Sequence, residues 1–180
     1  MRFTYRGATT NSFVAAAGAD AFFVISGSAS RTRFVRSIRV SGLHLTTLAV
    51  ITIVAEKWGT AAFTGGTTTE LTRVPVDSAF SAAATDGLVQ VYTAAPTEGT
   101  LVGTVASRRV MLKSTTVVDG APFPDVLFEF GNDRADERDV NPRGIKLHGL
   151  IQSLSLAFGA APASAVTLSL EVEWDEEAGP

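Results

Sequence analysis

Cysteine is absent from the 180 residues, so disulfides and thiolate metal sites are excluded. Histidine is nearly absent. His44 sits in an apolar stretch and His148 between Leu147 and Gly149, neither placed as a general base is in a recognisable motif. No phosphate loop, dinucleotide fingerprint or nucleophile elbow occurs, and Ser26-Gly27-Ser28 is a turn with no helical pattern after it. Charged residues make up only 18% of the chain, below the usual quarter. No apolar run is long enough to span a bilayer: the longest, 43–55, is broken by His44, Thr46, Thr47 and Thr52. Residues 1–6 lack an apolar stretch of signal-peptide length, so a soluble protein made in the cytoplasm is expected, with no membrane partner. The helical period is missing too.

What is present is alternation. From Val166 to Asp175, Val166, Leu168, Leu170, Val172 and Trp174 fall on one side of a strand, and Thr167, Ser169, Glu171, Glu173 and Asp175 on the other. An antiparallel sheet covered on one face requires that pattern. Further extended stretches are expected at 22–26, 31–41, 45–57, 88–93, 100–113, 126–130 and 145–158, with 45–57 apolar enough for a central strand covered on both faces. The Gly/Thr-rich stretch 59–69 and the charged stretch 131–143 are expected as loops, and 78–85 as one or two helical turns. About eight strands separated by turn signals predict an all-β fold, specifically a jelly-roll-like antiparallel β-sandwich. Residues 20–180 form its single domain. The weakly patterned residues 1–19 are expected as an extended N-terminal arm laid on a neighbour. A chain of this length buries roughly 70% of its extended surface on folding.

Charge is unevenly distributed. Residues 1–60 carry a balance of +5, residues 61–118 of zero and residues 119–180 of −8, which gives the net −3. The two halves can meet between subunits or inside one monomer. Overall acidity speaks against nucleic acid as a partner. The apolar share of 46% and mean hydropathy of +0.23 leave room for subunit interfaces.

Six residues are candidate partner contacts. Arg33 and Arg39 share one strand face by simple alternation, with Arg36 on the apolar face, and guanidiniums in a row suit carboxylates of another subunit. Trp58 precedes the Gly/Thr loop and could, with Tyr92, stack on a sugar; Trp174 falls on an apolar face and is expected to pack in the core or in an interface. Asp133, Asp136 and Asp139 lie in a carboxylate-dense loop. It lacks the regular spacing of a calcium loop and contains Arg134 and Arg138, so a solvated loop or a charged contact is expected and no metal or other cofactor. No catalytic residue is indicated, although two carboxylates could meet in space from anywhere in the chain.

Several segments resemble a group of small virion proteins of tailed bacteriophages. They are 19–29 (ADAFFVISGSA), 34–42 (FVRSIRVSG), 57–67 (KWGTAAFTGGT), 76–78 (VDS), 91–97 (VYTAAPT) and 173–177 (EWDEE). The resemblance covers roughly residues 19–177 and carries no catalytic motif. It implies a virion structural protein, of the capsid decoration (cement) type, built on a jelly roll. Such a protein assembles as a homotrimer on the capsid surface and stabilises the head by binding between major capsid subunits. A neck or tail position, a carbohydrate-binding module on a tail tip, and a hydrolase with scattered carboxylates are the rival readings. Exposed aromatics near Trp58 would mark the module, and a deep pocket the hydrolase.

Overall fold

The computed structural model describes residues 2–16, 18, 20–45, 49–59, 62–79, 82–114, 125–131 and 144–178. Thirteen strands follow one another: β1 (Arg2–Ala8), β2 (Phe13–Val14), β3 (Ala21–Ser26), β4 (Arg31–Leu45), β5 (Ala49–Trp58), β6 (Thr67–Glu70), β7 (Thr72–Pro75), β8 (Val89–Ala94), β9 (Leu101–Ser114), β10 (Val126–Glu129), β11 (Ile145–Leu147), β12 (Ser153–Phe158) and β13 (Thr167–Ala178). Strands take up most of the described residues and no helix occurs among them, so the fold is all-β.

Two antiparallel sheets pack face to face as a β-sandwich. One sheet runs β6-β8-β3-β12-β5-β9. The other is built on the long β4–β13 pair. β1 and β2 lie end to end along one side of β13, and β7 lies outside β1; β10 and β11 lie end to end along β4. The last residues of β9 pair in parallel with β4 and join the two sheets. Successive strands change sheet repeatedly, as β3 to β4 and β12 to β13 do.

The core follows from alternation. Leu168, Leu170, Val172 and Trp174 of β13 meet Phe23 and Ile25 of β3, Ile51 and Ile53 of β5, and Leu154, Leu156 and Phe158 of β12 in one buried cluster. In β5 only one face is fully buried; Val50, Thr52, Val54 and Glu56 stay at least partly exposed, so the expectation of a doubly covered strand is corrected. The stretch 145–158 is two strands instead of one. Gly149, at φ +62°, turns the chain between them. Pro75 ends β7 at the sheet margin, where no ladder hydrogen bond is lost.

The expected N-terminal arm is also corrected. β1 pairs with β13 from Arg2 to Ala8 on one side and with β7 on the other, and Tyr5 is fully buried against Trp174, ring centroids 5.9 Å apart. Ala15 and Ala16 are buried as well. Arg2, Thr4 and Arg6 alternate with Phe3, Tyr5 and the small Gly7, a pattern too short to mark a core strand by itself; Gly7 leaves room for Trp174 and Leu71.

A β-bulge reverses the expected faces of β4. Glu173 of β13 pairs with Ser37, but Trp174 pairs with Val35, so Arg36 is an extra residue. Beyond it the alternation shifts by one. Val35 and Arg33 join Ile38 and Val40 on the inner side, and Arg36 is released from the apolar face.

Candidate functional site

The bulge buries Arg33 completely, beside a fully buried Glu176. Arg33 Nε donates to Glu176 Oε1 at 3.0 Å. Its Nη1 donates to the carbonyls of Ser26 (2.9 Å) and Leu88 (3.4 Å), and its Nη2 to those of Ala84 and Asp86 (both 3.0 Å). The acceptors occupy all five N–H donors of the guanidinium. Glu176 is as well served: Oε1 also accepts from Trp174 Nε1 (3.1 Å), and Oε2 accepts from Arg31 Nη1 (3.0 Å) and the Ala84 amide (2.9 Å). Burial pushes the Arg33 pKa down, Glu176 pulls it up, and neighbouring Arg73 lowers it again. The pair ties β4 and β13 to the end of β3 and to the 82–88 segment, bridging the two sheets. Arg33 is therefore a structural clamp, and its expected role as a surface contact is corrected.

Next to the clamp, Asp86 accepts hydrogen bonds from Ser28 Oγ at 2.9 Å on both carboxylate oxygens, and from the Ala29 amide. Burial pushes this carboxyl up, but the Ser28 and backbone hydrogen bonds outweigh it and hold Asp86 below the ordinary range.

Arg39 lies on the opposite, outer face of β4 and is half exposed, 3.6 Å from an equally exposed Asp125. It borders a shallow pocket of about 190 Å³ with Arg6, Ser37, Leu127, Glu171 and Glu173. Across this face the basic β4 and acidic β13 neutralise each other. Arg6 Nε meets Glu173 at 2.8 Å, Arg36 lies 3.6 Å from Glu173 and 3.8 Å from Asp175, and Thr4 Oγ1 donates to Asp175 at 2.7 Å. Of the two arrangements open to the basic and acidic halves, these contacts realise the one inside a single chain.

Trp58 is 5% exposed and is not a surface platform, which corrects its reading as a contact. It belongs to a second, smaller core on the outer side of the β3–β12–β5 sheet, with Ala16, Val24, Phe63 and Tyr92. Its Nε1 donates to Ser155 Oγ at 2.8 Å, and Phe63 packs edge-on at 5.3 Å. Phe63 draws the Gly/Thr-rich loop down onto the sheet, and an isolated bridge between Thr64 and Thr97 holds it. Near this core stand Glu56 and Glu98. Burial raises both carboxyls; Glu98 raises Glu56 further, and Asp20 adds to Glu98, which in turn accepts a 2.9 Å hydrogen bond from the Ala21 amide.

Asp133, Asp136 and Asp139 lie outside the described residues. Of the six expected contacts, Arg33, Arg39 and Trp58 thus sit in three separate places. His148 is exposed, with its ring 3.5 Å from Thr32 Oγ1.

The feature that sequence reading missed is the open side of β9, a strand expected at 100–113. It pairs with β5 along 101–112, and β4 reaches it only at Lys113 and Ser114, so its other side carries no strand among the described residues. Leu101, Val102, Val105 and Met111 stand 40–66% exposed along it, with Val50 of β5 beside Met111. Exposed apolar residues on an open strand edge form an adhesive surface. Comparison of the chain with known proteins finds no matching family model, no matching curated relative and no matching solved structure.

Proposed function

We propose that this protein is a structural, non-catalytic component of a tailed-bacteriophage particle, most specifically a decoration protein that adheres to the capsid surface between major capsid subunits. The observation that carries this reading is the open, apolar edge of β9 on a sandwich whose two sheets are clamped together by a buried Arg33–Glu176 pair. A cement protein needs a rigid body and an adhesive margin, and this fold offers both. The resemblance of residues 19–177 to virion proteins supplies the particle as partner. Burial of Trp58 and Phe63 weighs against the carbohydrate-binding alternative, which called for exposed rings there. The function is attachment to copies of itself and to other virion proteins, with no cofactor.

The test is co-sedimentation with assembled capsids of a tailed bacteriophage that carries this chain. Recovery of the folded protein in the capsid pellet at saturable stoichiometry is the expected result. A folded protein that stays wholly in the supernatant, or one that hydrolyses a cell-wall or capsular glycan, overturns it.

A further inference from the structure

Arg73 is buried like Arg33 but is less completely satisfied. It lies on β7, the outermost strand of its sheet, where Thr72 and Val74 face water and Arg73 turns inward. Its side chain is 8% exposed. The corner before it is pinned by the buried Leu71, whose amide donates to the Val89 carbonyl at 2.9 Å. Arg73 Nη1 donates to the Ala84 carbonyl, and Nη2 to the Gly87 carbonyl at 2.8 Å and to Glu70 Oε1. Its Nε is buried and has no acceptor among the described residues. A buried donor left unpaired is costly, so this N–H favours an acceptor that can reach it.

Counter-charge is short here as well. Glu176 serves Arg31 and Arg33, and Arg73 stands near enough to Arg33 to lower its pKa. The carboxylate paired with Arg73 is that of Glu70, three residues before it and 63% exposed. An ion pair with one member so open to water is weak. Glu70 also meets Nη2 alone. A guanidinium presents Nε and one Nη on a single side, as a fork for both oxygens of one carboxylate. Next to Arg73 and Glu70 is a cavity of about 410 Å³, with Leu71, Ala82 and Ala83 as apolar wall and Thr72 and Thr85 supplying hydroxyls. That volume is in the range of ligand sites.

We propose that this cavity is a socket for a carboxylate, the aspartate or glutamate side chain of a partner protein segment, which displaces Glu70 and takes Arg73 Nε and Nη2 together. A singly charged carboxylate matches the one guanidinium in the lining. A phosphate dianion would bring a second negative charge toward Glu70 and Glu176, with no lysine in the lining to meet it. The cavity is far larger than a carboxylate group, which leaves room for the side chain and the backbone that carries it. Glu70 ends β6, at the opposite margin of its sheet from β9. The socket is thus separate from the open β9 edge, goes beyond the attachment reading and does not depend on it.

The experiment titrates the folded protein with four probes: a short blocked peptide carrying one central glutamate, its glutamine counterpart, sodium acetate and inorganic phosphate. Binding is read by calorimetry and by the Arg73 Nε–H resonance in heteronuclear NMR spectra, assigned by its loss in Arg73→Lys. The glutamate peptide should bind saturably, more tightly than acetate or phosphate, and should shift that resonance. Glu70→Ala removes the internal competitor and should tighten binding by about fivefold, the factor that an exposed ion pair is worth. Glu70 is largely exposed, so this variant keeps the fold and tests the socket by calorimetry even where Arg73→Lys does not fold. Equal binding of the two peptides, acetate or phosphate as tight as the glutamate peptide, an unmoved Nε–H resonance, or Glu70→Ala no tighter than the wild type overturns the socket. None of these results bears on sedimentation with capsids, so failure here is distinguishable from failure of the attachment reading.

Discussion

Arg33 and Glu176 are 143 positions apart in the chain, yet their side chains meet at 3.0 Å with neither exposed to water. Each is the main neutralising partner of the other. Replacing one leaves the other charged in the interior, which costs about 3–5 kcal/mol. Arg33→Ala is expected to lower stability by that amount, read as a shift in the urea midpoint at unchanged slope. A loss under 1 kcal/mol would mean the pair is wetter than this geometry.

The clamp also depends on Gly87, at φ +80°, between two carbonyl-bearing residues that Arg33 holds. A methyl group there would overlap the Gly27 carbonyl oxygen, and the backbone conformation itself costs a side-chain-bearing residue about 1–3 kcal/mol. Gly87→Ala should therefore destabilise by at least that much in chemical denaturation, without touching the β9 edge.

Deleting residues 2–8 is expected to abolish cooperative folding. β1 is an interior strand between β13 and β7, and its Tyr5 packs on Trp174. A truncated chain that still melts in a single sharp calorimetric transition would show that the segment is dispensable.

Glu56→Gln should stabilise the protein at neutral pH. Burial, and then Glu98, raise the folded-state pKa of Glu56 above its unfolded value. A raised carboxyl pKa favours folding below the unfolded value, and that contribution is lost as pH rises through the folded one. The variant's advantage over the wild type is thus expected at neutral pH and should vanish below the ordinary carboxylate range. Urea titrations at the two pH values measure it. Asp86 has the opposite sign. Its folded pKa is depressed, so its stabilisation is present above the unfolded value and disappears as pH falls through the folded one.

Both tryptophans are buried, Trp58 at 5% and Trp174 at 0% exposure. The intrinsic fluorescence should be blue-shifted and resist iodide quenching in the native state. Trp58→Ala should cost about 3–5 kcal/mol, as emptying a large aromatic site does. Arg39→Ala, by contrast, removes an exposed pair and should cost about 1 kcal/mol or less.

Alternation by itself determined most of the architecture. Most strands of the core have an apolar period of two, and β3 is apolar from Ala21 to Ile25 and buried on both faces, so the sandwich and most of its strands were legible from β3 through β13. Strands built of small or polar residues were not. β1, β6 and β7 owe their place to the neighbours they pair with, and their own side chains say little. The candidate residues were less legible still. Extending the period of β13 by two puts Glu176 on the buried face with Trp174, a signal open to inspection, but its partner lies beyond a bulge at Arg36. A single inserted residue reverses every side chain that follows it, and nothing local announces it. Pairing with β13 decided that Arg33 points inward, while contacts in the other sheet decided that Trp58 is covered by Phe63 from the loop after it and that β9 keeps one side without a strand among the described residues.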